Sequence, residues 1–85
     1  MTTISTTVGS KVGLHARPAA LIAEAAAALA SSVTLAVPGG QPVVASSALM
    51  IMTLGAGYGD TVEVAGDDED DVRLIADLVA RDLDD

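Results

Sequence analysis

The sequence predicts an α+β fold, a four-stranded antiparallel sheet with three helices over one face, in the order β-α-β-β-α-β-α. Three observations carry that expectation. Apolar residues alternate with polar ones in Thr2–Val8, Ser32–Val37 and Thr61–Val64, as half-buried strands require. Segments rich in Ala, Leu and Met, with helical spacing, separate those strands. Finally, Pro38-Gly39-Gly40 marks a tight turn, so Gln41–Ala45 pairs back on the strand before it as a hairpin. At 85 residues the chain is expected to be one domain, residues 1–85, near the lower limit for a self-sufficient core.

Taken in order, Thr2–Val8 places Ile4, Thr6 and Val8 on one face. Gly9 to Ala16 follows as a loop. A helix runs from about Arg17 to Ala30, because alanine is the best helix former and Glu24 is its only charge past the first turn. Leu21, Ile22, Ala25, Ala26 and Leu29 are its expected core stripe. In the next strand Val33, Leu35 and Val37 face inward. Ser47 is a good N-cap for a short helix ending at Leu54, with Gly55 as the stop. Thr61–Val64 is the last strand, with Val62 and Val64 inward. After Gly66 an acidic run leads into an amphipathic helix whose Val72, Ile75, Leu78, Val79 and Leu83 face the core. Asp77 and Arg81 lie four apart on its outer side, the orientation of a helical ion pair.

Composition excludes several classes. Hydrophobic residues make up 51%, but Tyr58 is the only aromatic residue, so the core is built of aliphatic side chains. Without cysteine there are neither disulfides nor thiolate metal sites, which fits a reducing, cytoplasmic compartment. The N-terminal residues show neither the basic region nor the apolar run of a secretory signal, and no apolar run nears ~18 residues, so membrane insertion is not expected. The net charge of −8 argues against nucleic acid as a partner.

The stretch that carries chemistry is Gly13-Leu14-His15-Ala16-Arg17-Pro18-Ala19-Ala20. Pro18 falls in the first turn of a helix, where its missing N–H is no loss. The free N–H groups of that turn and the positive end of the helix dipole form an anion cradle. His15 brings a nucleophilic ring nitrogen to it at neutral pH, and Arg17 can orient phosphate oxygens. The bland alternative for His15 is a surface residue or an improvised cap. Taken together, the set reads as a phosphohistidine site. The run Asp67-Asp68-Glu69-Asp70-Asp71 lacks the alternation and central glycine of a calcium loop, whereas carboxylates at a helix start already suit the dipole. No metal site and no cofactor is expected.

GLHARPAA resembles the active-site motif of the HPr family, the histidine-containing phosphocarriers of the bacterial sugar phosphotransferase system. Ser46-Ser47-Ala48-Leu49-Met50-Ile51-Met52-Thr53-Leu54-Gly55 resembles the second signature of that family, and the spacing of both fits nearly the whole chain. The resemblance implies an open-faced β-sandwich. It also implies that His15 carries phosphate on Nδ1, taken from enzyme I and handed to the EIIA domain of a sugar permease. Arg17, and the backbone N–H groups of Ala16 and Arg17, are implied as the phosphate contacts. Such a chain is a stoichiometric relay more than a turnover enzyme, and a monomer is expected.

The family docks its partners through the start of its first helix and through the short helix, which here implies Ala20, Ala48, Leu49, Met50 and Met52. The residues themselves leave two readings of the short helix. It is apolar nearly all round, so either it is deeply embedded, or Ile51 and Leu54 face inward and the rest forms a docking patch. Ser47 is a cap or, as in some relatives, a site for a serine kinase; many of those have a basic residue where this chain has Ser46. Val12 departs from the polar residue common two before the leucine of the motif. Ala25, Ala28 and Met50 occupy a region where some relatives carry lysines, so recognition here leans on apolar contact. Two alternatives stay open: a paralogue serving another relay, and a regulatory module docking a transcription regulator under control of Ser47 phosphorylation.

Overall fold

In a computed structural model that describes residues 1–83, seven elements follow one another in the expected order. They are β1 (Thr2–Thr7), α1 (Ala16–Ala27), β2 (Val33–Ala36), β3 (Val43–Val44), α2 (Ala48–Met52), β4 (Thr61–Gly66) and α3 (Glu69–Ala80). The sheet order is β1-β4-β2-β3, with every neighbouring pair antiparallel. Thr3, Ser5, Thr7 and Thr61 face solvent, while the helices cover the other face. Between sheet and helices lies an aliphatic core that includes Val8, Ile22, Leu35, Ile51, Val62, Val64, Val72, Ile75 and Val79. Burying one such side chain is worth about 1.5–3 kcal/mol, so this set substitutes for the missing aromatic residues.

Several boundaries differ from expectation, each for a local reason. α1 ends at Ala27, not Ala30, because Ala28 and Leu29 donate to the carbonyls of Ala25 and Ala26 at 3.2 and 3.1 Å. Such i→i−3 bonds tighten a last turn and let the chain swing into β2. Within α1, Leu21 is exposed, whereas Ala19 and Ala23 are buried. The stripe is rotated from the predicted one because small side chains let α1 lie close to its neighbours. β3 shrinks to two residues, since Pro42 has no N–H to give the ladder. β4 extends to Gly66, which pairs with both Thr2 and Val33. A Cβ there would lie 2.8 Å from the Ser32 carbonyl oxygen, so the close strand approach explains the glycine.

The hairpin turn is as composed: Gly40 N–H donates to the Val37 carbonyl at 2.9 Å, with Gly39 at φ 81° after Pro38. At α3 the acidic run serves the helix. Asp68 caps it, accepting from the N–H groups of Asp70 and Asp71 at 2.9 and 3.2 Å. Asp71 accepts from the Ser31 hydroxyl at 2.6 Å, tying α3 to the link between α1 and β2. The predicted Asp77–Arg81 pair is absent. Arg81 has already left the helix, with extended φ −84° and ψ 154°, and the helical pair present is Glu69–Arg73 at 2.8 Å.

Candidate functional site

His15 is the N-cap of α1. Its position is set from both sides. Upstream, Gly13 N–H donates to the Ser10 carbonyl at 2.9 Å, closing a turn that ends in Gly13 at φ 79°. Leu14 is buried, and its N–H donates to the Ala56 carbonyl at 3.0 Å. Downstream, the His15 carbonyl accepts the Ala19 N–H at 2.9 Å, the first bond of the helix. An apolar anchor on one side and a helix on the other thus hold the backbone of His15 while its side chain stays exposed.

The imidazole does not cap the helix: no side-chain cap hydrogen bond is made. The bland reading of an improvised cap therefore fails. Ala16 and Arg17 are the first two helical residues and Pro18 the third. Because Pro18 has no N–H and the first intrahelical donor is Ala19, the N–H groups of Ala16 and Arg17 are the donors left without an acceptor among the described residues. They point out at the positive end of the α1 dipole, and the first turn holds no acidic residue to satisfy it. Arg17 is exposed and makes no ion pair among the described residues. Val12, His15, Ala16, Arg17 and Pro18 line one shallow hollow open to solvent. A nucleophilic ring, two aimed N–H groups and a free guanidinium thus share one concavity, an arrangement that can receive and hold a phosphoryl group.

Beside this hollow, α1 packs against α2. Ser47 caps α2 by accepting the Met50 N–H at 3.3 Å. The helix ends at Met52 with Thr53 as its C-cap, short of the expected Leu54, and Gly55 at φ 66° closes the turn that follows, its N–H donating to the Met52 carbonyl at 3.3 Å. Ile51 is buried and Leu54 half-buried, so the helix turns one narrow side inward. Leu49 (69%), Met50 and Met52 are left exposed, which decides against the deeply embedded alternative. Ala20 is exposed, while Ala48 is half-buried and offers only part of its surface. Sequence reasoning missed Leu21, which is 40% exposed and adds to the apolar surface of α1. Its helical period alone put it inside; only the angle at which α1 meets its neighbours turns it outward.

Comparison with known proteins places this geometry. The family model described as PTS HPr component phosphorylation site matches residues 2–81. A phosphocarrier protein HPr of Streptomyces coelicolor is 42% identical over 79 residues, spanning 89% of this chain and 85% of its own. Among solved structures, an HPr from Thermoanaerobacter tengcongensis superposes with a TM-score of 0.87 at 28% identity, covering 100% of this chain and 98% of its own. A phosphocarrier protein HPr of Bacillus anthracis does so with 0.84 at 28% identity, covering 92% and 95%.

Proposed function

The chain belongs to the HPr family of phosphotransferase-system phosphocarriers, and from that premise we propose that His15 is the residue that carries the phosphoryl group. As a phosphocarrier of this system the protein works between partners of the enzyme I and EIIA kinds. The observation that carries the proposal is the pair of unpartnered N–H groups of Ala16 and Arg17 beside an exposed imidazole that caps nothing.

The transfer follows from that arrangement. The Nδ1 lone pair of His15 attacks the phosphorus held on a histidine of the donor. The new N–P bond forms as the donor N–P bond breaks, and the released electron pair returns to the donor ring. Charge in the transition state spreads over the three phosphoryl oxygens. The N–H groups of Ala16 and Arg17 and the Arg17 guanidinium neutralise it without rearranging. The same chemistry in reverse delivers the group to an acceptor, so the site binds phosphate firmly enough to carry it and loosely enough to release it. The described helices include none long and apolar enough to cross a membrane. We place the exchange in the cytoplasm, with the chain acting as one monomeric domain. Phosphorylation of Ser47, if a kinase provides it, adds negative charge at the docking surface and slows transfer.

Incubation with phosphoenolpyruvate and enzyme I tests the reading. Acid-labile phosphate on the chain is the expected result. Labelling obtained only with ATP and a kinase, acid-stable and on serine, sinks the proposal in favour of a regulatory module. The docking surface has its own test. Leu49→Asp places a charge on the most exposed apolar position of α2, and about 10-fold or more of the transfer rate from enzyme I is expected to be lost, mostly as a raised KM. Its fold should be untouched, because the side chain is 69% exposed. An unchanged KM would remove α2 from the interface.

A further inference from the structure

We infer that Ser10 is a positioning residue for His15, binding the start of the histidine loop to the end of α3. The inference rests on the reading of His15 as phosphoryl acceptor. Ser10 is only 1% exposed and is the buried polar side chain of the described core. Its hydroxyl accepts the Leu83 N–H at 3.1 Å and donates to the Arg81 carbonyl at 3.4 Å. One residue earlier, the Gly9 N–H donates to the Val79 carbonyl at 3.0 Å. The last carbonyls of a helix have no partners within it, and α3 carries no basic residue in its last turn. The start of the loop therefore acts as the C-terminal cap of α3. Gly9 lies so close to the Ala80 carbonyl that a Cβ there has no room.

From Ser10 the constraint reaches His15 within five residues. The Ser10 carbonyl closes the turn to Gly13, Leu14 is held on Ala56, and His15 follows. The loop is thus fixed at two points, α3 and Ala56. Loss of the Ser10 hydroxyl leaves the Leu83 N–H and the Arg81 carbonyl without this partner and releases the first point. Phosphoryl transfer requires reacting atoms about 3–3.5 Å apart in line, so a shift of about 1 Å in the loop is felt in the rate. Arg81 and Leu83 contribute only main-chain atoms to the clamp, whereas position 10 contributes its side chain.

The test combines transfer kinetics from phosphorylated enzyme I with the ¹⁵N NMR signals of Ala16 and Arg17. Ser10→Ala is compared with Ala76→Gly, which weakens α3 by about 1 kcal/mol (roughly 5-fold in its equilibrium) without touching the clamp. Both are measured at a temperature where the chains are folded. Ser10→Ala is expected to lower kcat/KM about 5-fold or more and to move both amide signals. Ala76→Gly should leave the rate within about twofold and the signals in place. Should Ser10→Ala not fold, Ser10→Cys, of nearly the same shape but a poor hydrogen-bonding partner, takes its place. Unmoved amides with a rate within about twofold of the parent overturn the clamp, as does an equal loss in Ala76→Gly. If the parent chain takes no phosphate on His15, it is the functional reading that fails, and the amide signals still decide the clamp.

Discussion

Replacing His15 by alanine is expected to abolish acid-labile phosphorylation, with incorporation from phosphoenolpyruvate and enzyme I below about 1% of the parent. No other residue offers an imidazole nitrogen, since His15 is the only histidine of the chain. The loss should be chemical and not structural. The imidazole is exposed and makes no cap hydrogen bond, so nothing in the fold leans on it. A surface change of this kind shifts stability by about 0.5 kcal/mol or less, and the melting temperature by about 4 °C at most for a domain of this size. Phosphate transfer and thermal unfolding, measured on the same preparation, separate the two effects. Persistent acid-labile phosphate on the alanine chain would falsify the assignment of the acceptor.

Gly13→Ala is expected to damage both stability and transfer, through the backbone alone. Gly13 sits at φ 79°, a conformation that costs a residue with a Cβ about 1–2 kcal/mol. The added Cβ would also lie 2.8 Å from the Ala56 carbonyl oxygen, the acceptor that holds the Leu14 N–H. Relieving that contact means moving either the Ser10–Gly13 turn or the Ala56 loop, and each move carries His15 with it. Together these costs come to about 2–3 kcal/mol, or roughly 8–24 °C of melting temperature. Circular dichroism on heating and the rate of phosphoryl uptake give the two readouts. A chain that melts with the parent and transfers at its rate would show that the loop has slack the geometry denies.

Both predictions depend on how one short loop is supported, and that support was only partly visible in the amino-acid order. His15, Arg17 and Pro18 announced a helix start with a nucleophile because the rules that govern a first helical turn are local: which N–H groups are orphaned, where proline is tolerated. Ser47 as a cap was legible for the same reason, whereas the helix stopped at Met52 with Thr53 as its C-cap, before the expected Leu54 and Gly55. Asp68 as a cap was not singled out, although the dipole argument pointed to the acidic run that contains it. The inward turn of Ile51 and Leu54 followed from spacing along a helix that can bury one side.

What failed to show was long-range. Nothing near Leu21 signals that α1 would present Ala19 and Ala23 to the core instead; small side chains permit several rotations, and the neighbours choose one. Arg81 looked like the partner of Asp77 until the chain left the helix before it. Ser10 meets Arg81 and Leu83 across more than 70 residues, and an isolated serine after a glycine carries no mark of that meeting. The sequence by itself determined the element order, the aliphatic core and the chemistry of the histidine turn, because periodicity, capping and side-chain reactivity act over a few residues. The tertiary structure alone decided which face of α1 is wet, how far β4 runs, and what holds the histidine loop in place. Those are matters of contact between segments distant in the chain, and such contacts exist only once the sheet and helices have met.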